Sequence, residues 1–280
     1  MDLLNNAGHS RKSEHTMNNG TALVTGASDG IGLECCKILA SRGHNLILVA
    51  RREAKLNKLA IDLTKSHGVQ CTVIAADLSL PRAAQLLFQN TKTQGLKVSF
   101  LINNAGLLHN GPFCELSLAE QETMITVNVL ALTSLTHLFA NDMATRKTGH
   151  ILNVASLAAW TPIPSQNVYA ATKAYVLAFS QALADEMNAT GSGVVVSALC
   201  PGYTATKMMN NPDQGATLRI PSSMMMSSNE VANQGIAGCL SGKHTIVPGI
   251  VNKMGTAVTH LAPKMALAKI LGRFYRKNLN

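Results

Sequence analysis

The residues best suited to chemistry are a tyrosine and a lysine four positions apart, Tyr169 and Lys173, within a run of good helix formers. Residues four apart share one face of a helix, so we expect the phenol and the ammonium to point into the same space. A phenol titrates at about 10 in isolation, and a neighbouring cation lowers that pKa. The pair could therefore act as a general acid and base. On its own, this spacing also fits a surface helix with a half-buried tyrosine and an amphipathic lysine.

A glycine cluster follows a short predicted strand. Residues 21–25 form an apolar, β-branched run, and residues 33–42 have a helical pattern. Between them, Gly26, Gly30 and Gly32 allow a tight turn and the close approach of a pyrophosphate to amide groups at a helix start. In this strand–turn–helix setting the glycines predict a dinucleotide site rather than a simple loop.

The end of the predicted second strand, residues 45–50, indicates which dinucleotide is bound. An acidic residue there would accept hydrogen bonds from the ribose hydroxyls of NAD, and Ala50 cannot. Arg51 and Arg52 follow at once and can pair with a 2′-phosphate. The sequence therefore favours NADP(H) over NAD(H), although two arginines would also suit the start of a solvated helix. Asp29, inside the glycine turn, argues mildly against a phosphate close by.

Strand and helix patterns alternate along most of the chain. The apolar runs that predict strands span residues 21–25, 45–50, 70–76, 98–102, 150–155, 193–199 and 245–247. The helical patterns span residues 33–42, 53–66, 81–94, 119–145, 167–188 and 230–240. This alternation predicts one α/β domain of the Rossmann type, a doubly wound parallel sheet with helices on both faces. We expect it to cover residues 20–247, between a disordered leader (1–19) and a basic amphipathic tail (248–280).

Several polar or small residues come directly after predicted strands. The carboxyl ends of parallel strands meet at one edge of the sheet, where such folds bind ligands. Asp77 could accept a hydrogen bond from an adenine amino group there, and residues 103–106 are small or amide residues that suit a nearby dinucleotide. Ser156 ends the fifth strand. Asn128 lies in the predicted helix 119–145, where an asparagine is usually a tolerated polar residue or a water ligand.

The segment 203–228 is loop-like and rich in methionine. It contains Met208, Met209, Met224, Met225 and Met226. Methionine adapts to irregular apolar surfaces, so we interpret the segment as a mobile lid over an apolar substrate. Ordinary core packing is the alternative.

Composition narrows the class of protein. The six cysteines include no C-x-x-C pair and have no histidine at metal-ligand spacing, so we expect reduced thiols, no metal site and a cytoplasmic location. The net charge is +9, but the basic residues are spread out. A phosphorylated cofactor or an anionic membrane surface accounts for the charge as well, and we expect no nucleic-acid partner. We see neither a signal peptide nor an apolar run long enough to cross a bilayer.

Together these features resemble the short-chain dehydrogenase/reductase family. They occur in the order and at the spacings of that family, with thirteen positions from Ser156 to Tyr169, and the resemblance covers about residues 20–247. The matching residues are Thr25-Gly26-x-x-x-Gly30-Ile31-Gly32, Asp77, Asn103-Asn104-Ala105-Gly106, Asn128, Ser156, Tyr169, Lys173 and Pro201-Gly202.

The resemblance implies a catalytic set of Ser156, Tyr169, Lys173 and Asn128. Tyr169 would donate a proton to a carbonyl oxygen during reduction and take it back in oxidation, and Ser156 would orient that oxygen. Lys173 would lower the pKa of Tyr169 and bind the nicotinamide ribose. Asn128 would hold a water that links Lys173 to solvent. The hydride comes from the cofactor, so the protein need supply only orientation, a proton and charge.

The resemblance also implies a cofactor site. The expected residues are Gly26, Ser28, Asp29, Gly30, Ile31, Gly32, Arg51, Arg52, Asp77, Leu78, Asn104, Ala105, Gly106, Tyr169, Lys173, Pro201, Gly202, Thr204 and Thr206. Asn104 would contact the adenosine side, and Thr206 the carboxamide or the phosphates. Asp29 replaces a basic residue that some NADP-dependent members carry, so the preference for NADP(H) rests on Arg51.

The predicted tail contains six basic residues and no acidic one. On a helix over residues 264–277, one side would carry Leu267, Ile270, Leu271 and Phe274, and the other Lys269, Arg273, Arg276 and Lys277. A basic amphipathic helix of this kind can lie on an anionic membrane surface. It can equally pack on its own domain or on a second subunit, which is the interpretation we prefer.

We therefore predict an NADPH-dependent carbonyl reductase, or the reverse alcohol dehydrogenase. Its substrate would be small and hydrophobic, such as a ketoacyl thioester, a steroid or another apolar ketone. The alternative is a non-catalytic NADP-binding sensor or scaffold on the same fold, against which the complete Ser/Tyr/Lys/Asn set argues. The family resemblance implies a homodimer or homotetramer through the long helices that carry Asn128 and Tyr169. Peripheral membrane contact through the tail is a further option.

Overall fold

Seven parallel strands form the central sheet of the protein, which we describe from a computed structural model. The structure describes residues 20–210 and 220–278. The described residues form the strands β1 (Thr21–Thr25), β2 (Asn45–Ala50), β3 (Cys71–Ala75), β4 (Val98–Asn103), β5 (Gly149–Val154), β6 (Val194–Leu199), β7 (Thr204–Ala205), β8 (Met226–Ser227) and β9 (Thr245–Ile246). Of these, β7 and β8 form a separate two-stranded sheet. The large sheet has the order β3-β2-β1-β4-β5-β6-β9. The strand order reverses between β1 and β4, the point at which open α/β sheets bind ligands.

Helices cover both faces of this sheet. They are α1 (Gly30–Ser41), α2 (Glu53–His67), α3 (Ala83–Thr93), α4 (Leu118–Ile125), α5 (Leu132–Thr145), α6 (Asn167–Ala189), α7 (Ser228–Leu240), α8 (Ile250–Leu261) and α9 (Lys264–Asn278). Successive residues of a strand face opposite sides. Leu46 and Leu48 of β2 accordingly belong to one apolar core, and Ile47 and Val49 to the other. The predicted doubly wound α/β fold is confirmed, with element boundaries shifted by a few residues.

The predicted continuous helix over residues 119–145 is interrupted. A wider π-helical turn, Thr126–Ala131, joins α4 to α5, so the prediction of one uninterrupted α-helix is wrong in this segment. The turn contains Val127 and Val129, whose branched side chains lose conformational freedom in an α-helix. Single π-helical turns are frequent at functional sites, and this one carries Asn128.

The same helical run, Leu118–Thr145, is long and apolar enough to cross a membrane, by length and composition alone. The run has 28 residues, and an 18-residue window within it has a mean hydropathy of 1.4, so the prediction that no apolar run is long enough to cross a bilayer is wrong by this measure. Half of that window is buried in the protein, and Leu135, Phe139 and Met143 pack into the core beside the sheet. Its packing is therefore that of a core helix.

The methionine-rich segment forms short elements at its two ends. Thr204 of β7 pairs with Met226 of β8, and short 3₁₀ turns cover Lys207–Asn210 and Ser222–Met224. Residues 211–219, the middle of the predicted lid, lie outside the described residues, as do residues 1–19 of the predicted leader.

The C-terminal helix α9 packs on the domain. Its Tyr275 is only 2% exposed and joins an apolar cluster with Ala158, Ile163 and Ala170. Leu271 and Phe274 pack against the same cluster, as the pattern predicted. The prediction was wrong for Ile270, which is 62% exposed, because the packed face of the helix is centred on Tyr275.

Candidate active site

A cleft of about 1180 Å³ opens at the carboxyl ends of the strands. The predicted residues that line it are Gly26, Ser28, Asp29, Gly30, Ile31, Arg51, Arg52, Asp77, Leu78, Asn104, Ala105, Gly106, Ser156, Tyr169, Lys173, Pro201, Gly202, Thr204 and Thr206. Gly32 and Asn128 do not line the cleft. Gly32 packs under the glycine turn, and Asn128 bonds to Leu107, which does line it.

The glycine turn has no room for side chains. A Cβ atom on Gly32 would lie 2.4 Å from the Gly26 carbonyl oxygen and 2.4 Å from Asn104 Nδ2. Gly26 has φ of +67°, a region that favours glycine. Helix α1 begins directly after this turn, where the Asp29 carboxylate accepts a hydrogen bond of 3.0 Å from Gly30 N. Amide groups at a helix start bind phosphate oxygens, so this turn fits the pyrophosphate of a dinucleotide.

Asn104 holds the glycine turn in place. Its Nδ2 donates to the carbonyl oxygens of Thr25, at 3.0 Å, and Gly26, at 3.3 Å. Thr25 Oγ1 in turn accepts from the backbone N–H groups of Asn104 and Ala105, both at 3.0 Å. The side-chain nitrogen of Asn104 is thus bonded to backbone, and the adenosine contact that the family resemblance implied for Asn104 stays a prediction.

Positively charged side chains gather around Asp29 at the expected adenosine end. Lys207 Nζ lies 3.3 Å and Arg52 Nη2 3.6 Å from Asp29 Oδ2. Arg52 also donates to Ser28 Oγ at 3.0 Å. The charges of Arg52 and Lys207 lower the pKa of Lys55, which places that ammonium beside the same group. One carboxylate cannot neutralise three cations, so the cluster presents a positive potential to an anion.

Asp77 is held as an ionised hydrogen-bond acceptor. Its Oδ1 accepts from Ser79 N at 3.0 Å and from Ser79 Oγ at 2.7 Å. Burial alone would raise the pKa of Asp77, but these bonds and the charge of Arg51 hold it below its usual value. Arg51 therefore acts on Asp77, whereas Arg52 contacts the glycine turn.

Ser156 and Tyr169 bring two hydroxyl groups together in the cleft. Ser156 caps the 3₁₀ turn Leu157–Trp160, with its Oγ accepting from Ala158 N at 3.1 Å. Tyr169 lies in the first turn of α6 and lines the same cleft as Ser156. Burial raises the pKa of Tyr169, and the nearby Ser156 hydroxyl opposes this shift without reversing it. The lowering that we expected from Lys173 is not among the causes of this shift, and the phenol is protonated at neutral pH.

Lys173 is a buried ammonium, only 5% exposed. Its Nζ donates to the Val154 carbonyl oxygen at 2.7 Å and lies 5.7 Å from the centre of the Tyr169 ring. Burial lowers the pKa of Lys173 to about 8. The side chain is therefore mostly charged at neutral pH and close to losing its proton.

Asn128 connects the π-helical turn to the cleft. Its Oδ1 accepts from Leu107 N at 2.8 Å, and its Nδ2 donates to Leu107 O at 2.9 Å and to Thr172 Oγ1 at 3.1 Å. These bonds fix the strand of backbone after β4 against the residue that precedes Lys173. A water held by Asn128 stays a prediction.

The sequence reading missed residues at both ends of the cleft. At the adenosine end these are Lys55 and Lys207. At the far end, the cleft is lined by apolar side chains from the loop after β4, the π-helical turn and the methionine-rich segment: Leu107, Leu108, Val127, Met208 and Met225. Methionine content was the signal for the last two, and no local signal marked the others.

Among residues 20–210 and 220–278, no three His, Cys, Asp or Glu side chains are grouped as a metal site would need. The cysteines there are free thiols, and burial raises the pKa of Cys35, Cys200 and Cys239 to about 12. Thiols with so high a pKa are poor nucleophiles.

The chain is similar in sequence to known oxidoreductases. The short chain dehydrogenase family profile matches residues 20–216. The chain is 37% identical over 204 residues to a very-long-chain 3-oxoacyl-CoA reductase of Pyrenophora tritici-repentis, which covers 69% of this chain and 60% of that protein. It is 34% identical over 190 residues to a 7β-hydroxysteroid dehydrogenase of Collinsella aerofaciens, covering 68% and 72%. It is also 33% identical over 225 residues to the inactive hydroxysteroid dehydrogenase-like protein 1 of Homo sapiens, covering 79% and 67%.

Solved structures of similar fold include members of the same family. A short-chain dehydrogenase from Sphingobium yanoikuyae in complex with NADPH superimposes with a TM-score of 0.75 at 30% identity, over 86% of this chain and 94% of that one. The chain spans about 60% of the length of the fungal reductase named above. The chain belongs to the short chain dehydrogenase family.

Proposed function

We propose that the protein reduces the carbonyl group of a hydrophobic ketone with NADPH, and runs in reverse as an alcohol dehydrogenase. The observation that carries this proposal is that Ser156, Tyr169 and Lys173 line the same cleft as the glycine turn, with Lys173 Nζ 5.7 Å from the centre of the Tyr169 ring. NADPH, when bound, supplies the hydride.

The chain's own residues handle the proton. Ser156 holds the carbonyl oxygen within reach of Tyr169. The raised pKa of Tyr169 keeps its phenol in the form that donates a proton. The ammonium of Lys173 then stabilises the phenolate that is left. Asn128 fixes the backbone at Leu107 and Thr172 around this site, and a water relay through Asn128 is part of the proposal.

The cation cluster at Asp29 supports NADP(H) over NAD(H). Arg52, Lys207 and Lys55 exceed the single carboxylate among them, and Arg51 follows directly in the chain. A dianionic 2′-phosphate would balance this charge with charge-assisted hydrogen bonds. Asp29, which seemed to argue against a phosphate, pairs with these cations instead of repelling the ligand directly.

The substrate class follows from the apolar end of the cleft. Leu107, Leu108, Met208 and Met225 line it, and apolar walls of this kind suit a lipid-like ketone. The named relatives are a 3-oxoacyl-CoA reductase and a hydroxysteroid dehydrogenase. We therefore propose a 3-oxoacyl thioester or a steroid-like ketone as the substrate.

The alternative function is that of a catalytically silent NADP-binding protein. It is considered because one human relative has the word inactive in its name. A Tyr169→Phe variant separates the two. We expect it to bind NADPH with unchanged affinity, by quenching of intrinsic fluorescence, and to lose carbonyl turnover. Unchanged turnover in this variant would exclude Tyr169 as the proton donor, whereas no turnover by the natural chain across a panel of ketones would support the catalytically silent alternative.

Helices α8 and α9 expose an apolar surface that could contact a membrane. It differs from the predicted apolar side of α9, since Leu271 and Phe274 pack on the domain. The exposed apolar residues of the two helices, each at least 62% exposed, are Ile250, Val251, Met254, Met265 and Ile270. Lys253, Lys264 and Lys269 lie exposed among them, and residues 248–280 contain no acid. We propose that this surface rests on an anionic membrane, as a peripheral contact of an otherwise cytoplasmic protein.

Co-sedimentation with vesicles tests this contact. We expect the full chain to bind vesicles that contain phosphatidylserine and not vesicles of phosphatidylcholine alone. Serine at Ile250, Val251 and Met254 should abolish binding. Serine at three exposed apolar positions elsewhere, Ile61, Leu80 and Leu86, is the control. Equal binding by both triple variants would contradict the proposal.

We also propose a homodimer or homotetramer through the long helices. Leu118, Ile125 and Leu130 are exposed along the α4–α5 run, next to Tyr175 of α6, which bonds to Thr133 at 3.0 Å. An exposed apolar strip of this kind is typical of a subunit interface. Light scattering should give a mass of at least two chains, and Leu130→Glu should reduce it to one.

A further inference from the structure

A chain of buried hydrogen bonds joins the C-terminal helix to the active site. Tyr275 Oη lies 3.3 Å from Gln166 Oε1, to which it donates, and 3.1 Å from Tyr203 Oη. Each phenol has one proton to give, so Tyr203 is the donor to Tyr275. Gln166 Nε2 then donates to Asn110 Oδ1. The donors thus run in one direction, from Tyr203 through Tyr275 and Gln166 to Asn110.

These groups are too deeply buried to exchange their partners for water. Asn110, Gln166 and Tyr275 are 4%, 5% and 2% exposed. Burial raises the pKa of Tyr203 and of Tyr275, so both phenols stay protonated and keep the direction of the chain. A buried polar group that loses its partner costs about 1–3 kcal/mol, so removal of one member affects the whole set.

Close packing brings Tyr275 to this position. Gly272 lies one turn earlier on the same face of α9, and a Cβ atom there would sit 3.0 Å from Pro164 Cγ. Residues three apart share a helix face. The glycine therefore lets the helix approach the loop before α6, and the tyrosine reaches across into the cluster behind Tyr169.

The segments that meet at Tyr275 are three walls of the cleft. Asn110 belongs to the loop that places Leu107 and Leu108 in the cleft. Gln166 precedes α6, and its backbone carbonyl oxygen accepts a hydrogen bond from Ala170 N at 2.8 Å. This bond closes the first turn of the helix, which holds Tyr169. Tyr203 begins the methionine-rich segment, and its carbonyl oxygen accepts from Met226 N at 2.9 Å.

We propose that Tyr275 is a positioning residue for carbonyl reduction. Its hydroxyl sets the distance between the first turn of α6, the loop after β4 and the base of the methionine-rich segment. It thereby fixes both the approach of Tyr169 to the substrate and the width of the apolar end of the cleft. This inference rests on the proposed ketone reduction for its kinetic consequences, but its structural part stands without it.

The test compares Tyr275→Phe with Tyr175→Phe in the full chain. Both changes remove one phenol hydroxyl and one hydrogen bond to a neighbouring hydroxyl, but the Tyr175 bond to Thr133 lies on the outer face of α6. For Tyr275→Phe we expect kcat to fall about tenfold, because small displacements of a catalytic group are costly, with NADPH affinity unchanged. The ratio of kcat/KM for a bulky ketone to that for a small one should also change. Tyr175→Phe should alter none of these.

Hydrogen exchange gives a readout that needs no activity. In Tyr275→Phe, amide exchange should rise in residues 107–111, 167–170 and 203–206, and it should stay unchanged there in Tyr175→Phe. Gly272→Ala keeps every hydrogen-bonding group but pushes α9 away from Pro164. It should give the same pattern of exchange, and it replaces Tyr275→Phe as the test if that variant does not fold. Unchanged exchange in these three segments, or equal scaling of kcat/KM for both ketones, overturns the inference. A natural chain that reduces no ketone would instead count against the proposed function alone.

Discussion

The two ends of the cleft are built differently. At the adenosine end, Lys207 and Arg52 are largely exposed, with 73% and 51% of their side chains accessible, and they share one carboxylate. At the catalytic end, Lys173 is 5% exposed, and burial raises the pKa of Tyr169. The exposed end works through net charge, which solvent and salt weaken. The buried end works through fixed partners in a low dielectric, where each hydrogen bond counts for more.

This contrast shows which property each end can control. In the proposed function, several exposed cations attract the phosphorylated cofactor and distinguish a 2′-phosphate from a hydroxyl. Buried hydroxyl and ammonium groups set protonation states and geometry, and no neighbour can replace them. Single substitutions should therefore be severe at the buried end and graded at the exposed end.

After Tyr169→Phe, the largest effect should come from Ser156→Ala. Loss of the hydroxyl that holds the carbonyl oxygen should lower kcat by on the order of 100-fold. The affinity for NADPH should hardly change, because Ser156 is placed at the substrate. Steady-state kinetics and a fluorescence titration give both numbers. A loss confined to NADPH binding would mean that the two ends are not separate.

The pH dependence should report Lys173. Its pKa is about 8, so the charge is present below that value and is lost as the pH rises through it. We expect kcat/KM for reduction to fall up to about tenfold per pH unit above about pH 8. Tyr169 cannot cause this fall first, because burial raises its pKa. In Lys173→Arg, whose charge persists at high pH, any residual activity should show no fall near pH 8.

Arg52→Ala should weaken NADPH about tenfold more than NADH, since one charge-assisted bond to the 2′-phosphate is lost. Lys58→Ala, which removes an exposed charge from the same helix, is the control. Fluorescence titrations with both cofactors measure the difference. Equal losses for NADPH and NADH would exclude Arg52 from the 2′-phosphate site.

The smallest effect should come from Lys207→Ala. We expect a few-fold loss of NADPH affinity that shrinks as salt is added, because the side chain of Lys207 is more exposed than that of Arg52. Titrations at two salt concentrations test this. A loss that does not depend on salt would show that Lys207 acts by packing rather than by charge.

Features encoded in a short stretch were predictable from sequence. The glycine turn follows from three glycines between a strand and a helix. The shared edge of Asp77, Ser156 and the residues after β4 follows from the alternation of strands and helices. In each case the pattern and the structural consequence lie within a few residues, or follow from one topological rule.

Features that join distant segments were not predictable. Lys207 meets Asp29, and Tyr275 meets Gln166, only because the fold brings them together. The expected pKa of Tyr169 was wrong for a related reason. The i, i+4 spacing predicted a nearby ammonium, but it could not show how deeply the phenol is buried, and burial is the larger effect. The π-helical turn at Asn128 has no local signal strong enough to distinguish it from an α-helix.

Transfer of a labelled hydride tests the central claim most directly. The chain would be incubated with NADPH that carries deuterium at C4 of the nicotinamide, and with a 3-oxoacyl thioester or a steroid-like ketone. The mass of the product would then be measured by mass spectrometry. The account predicts an alcohol that carries one deuterium on the former carbonyl carbon, formed by the natural chain and not by Tyr169→Phe. No labelled alcohol from any ketone of either class, although NADPH binds, would contradict it.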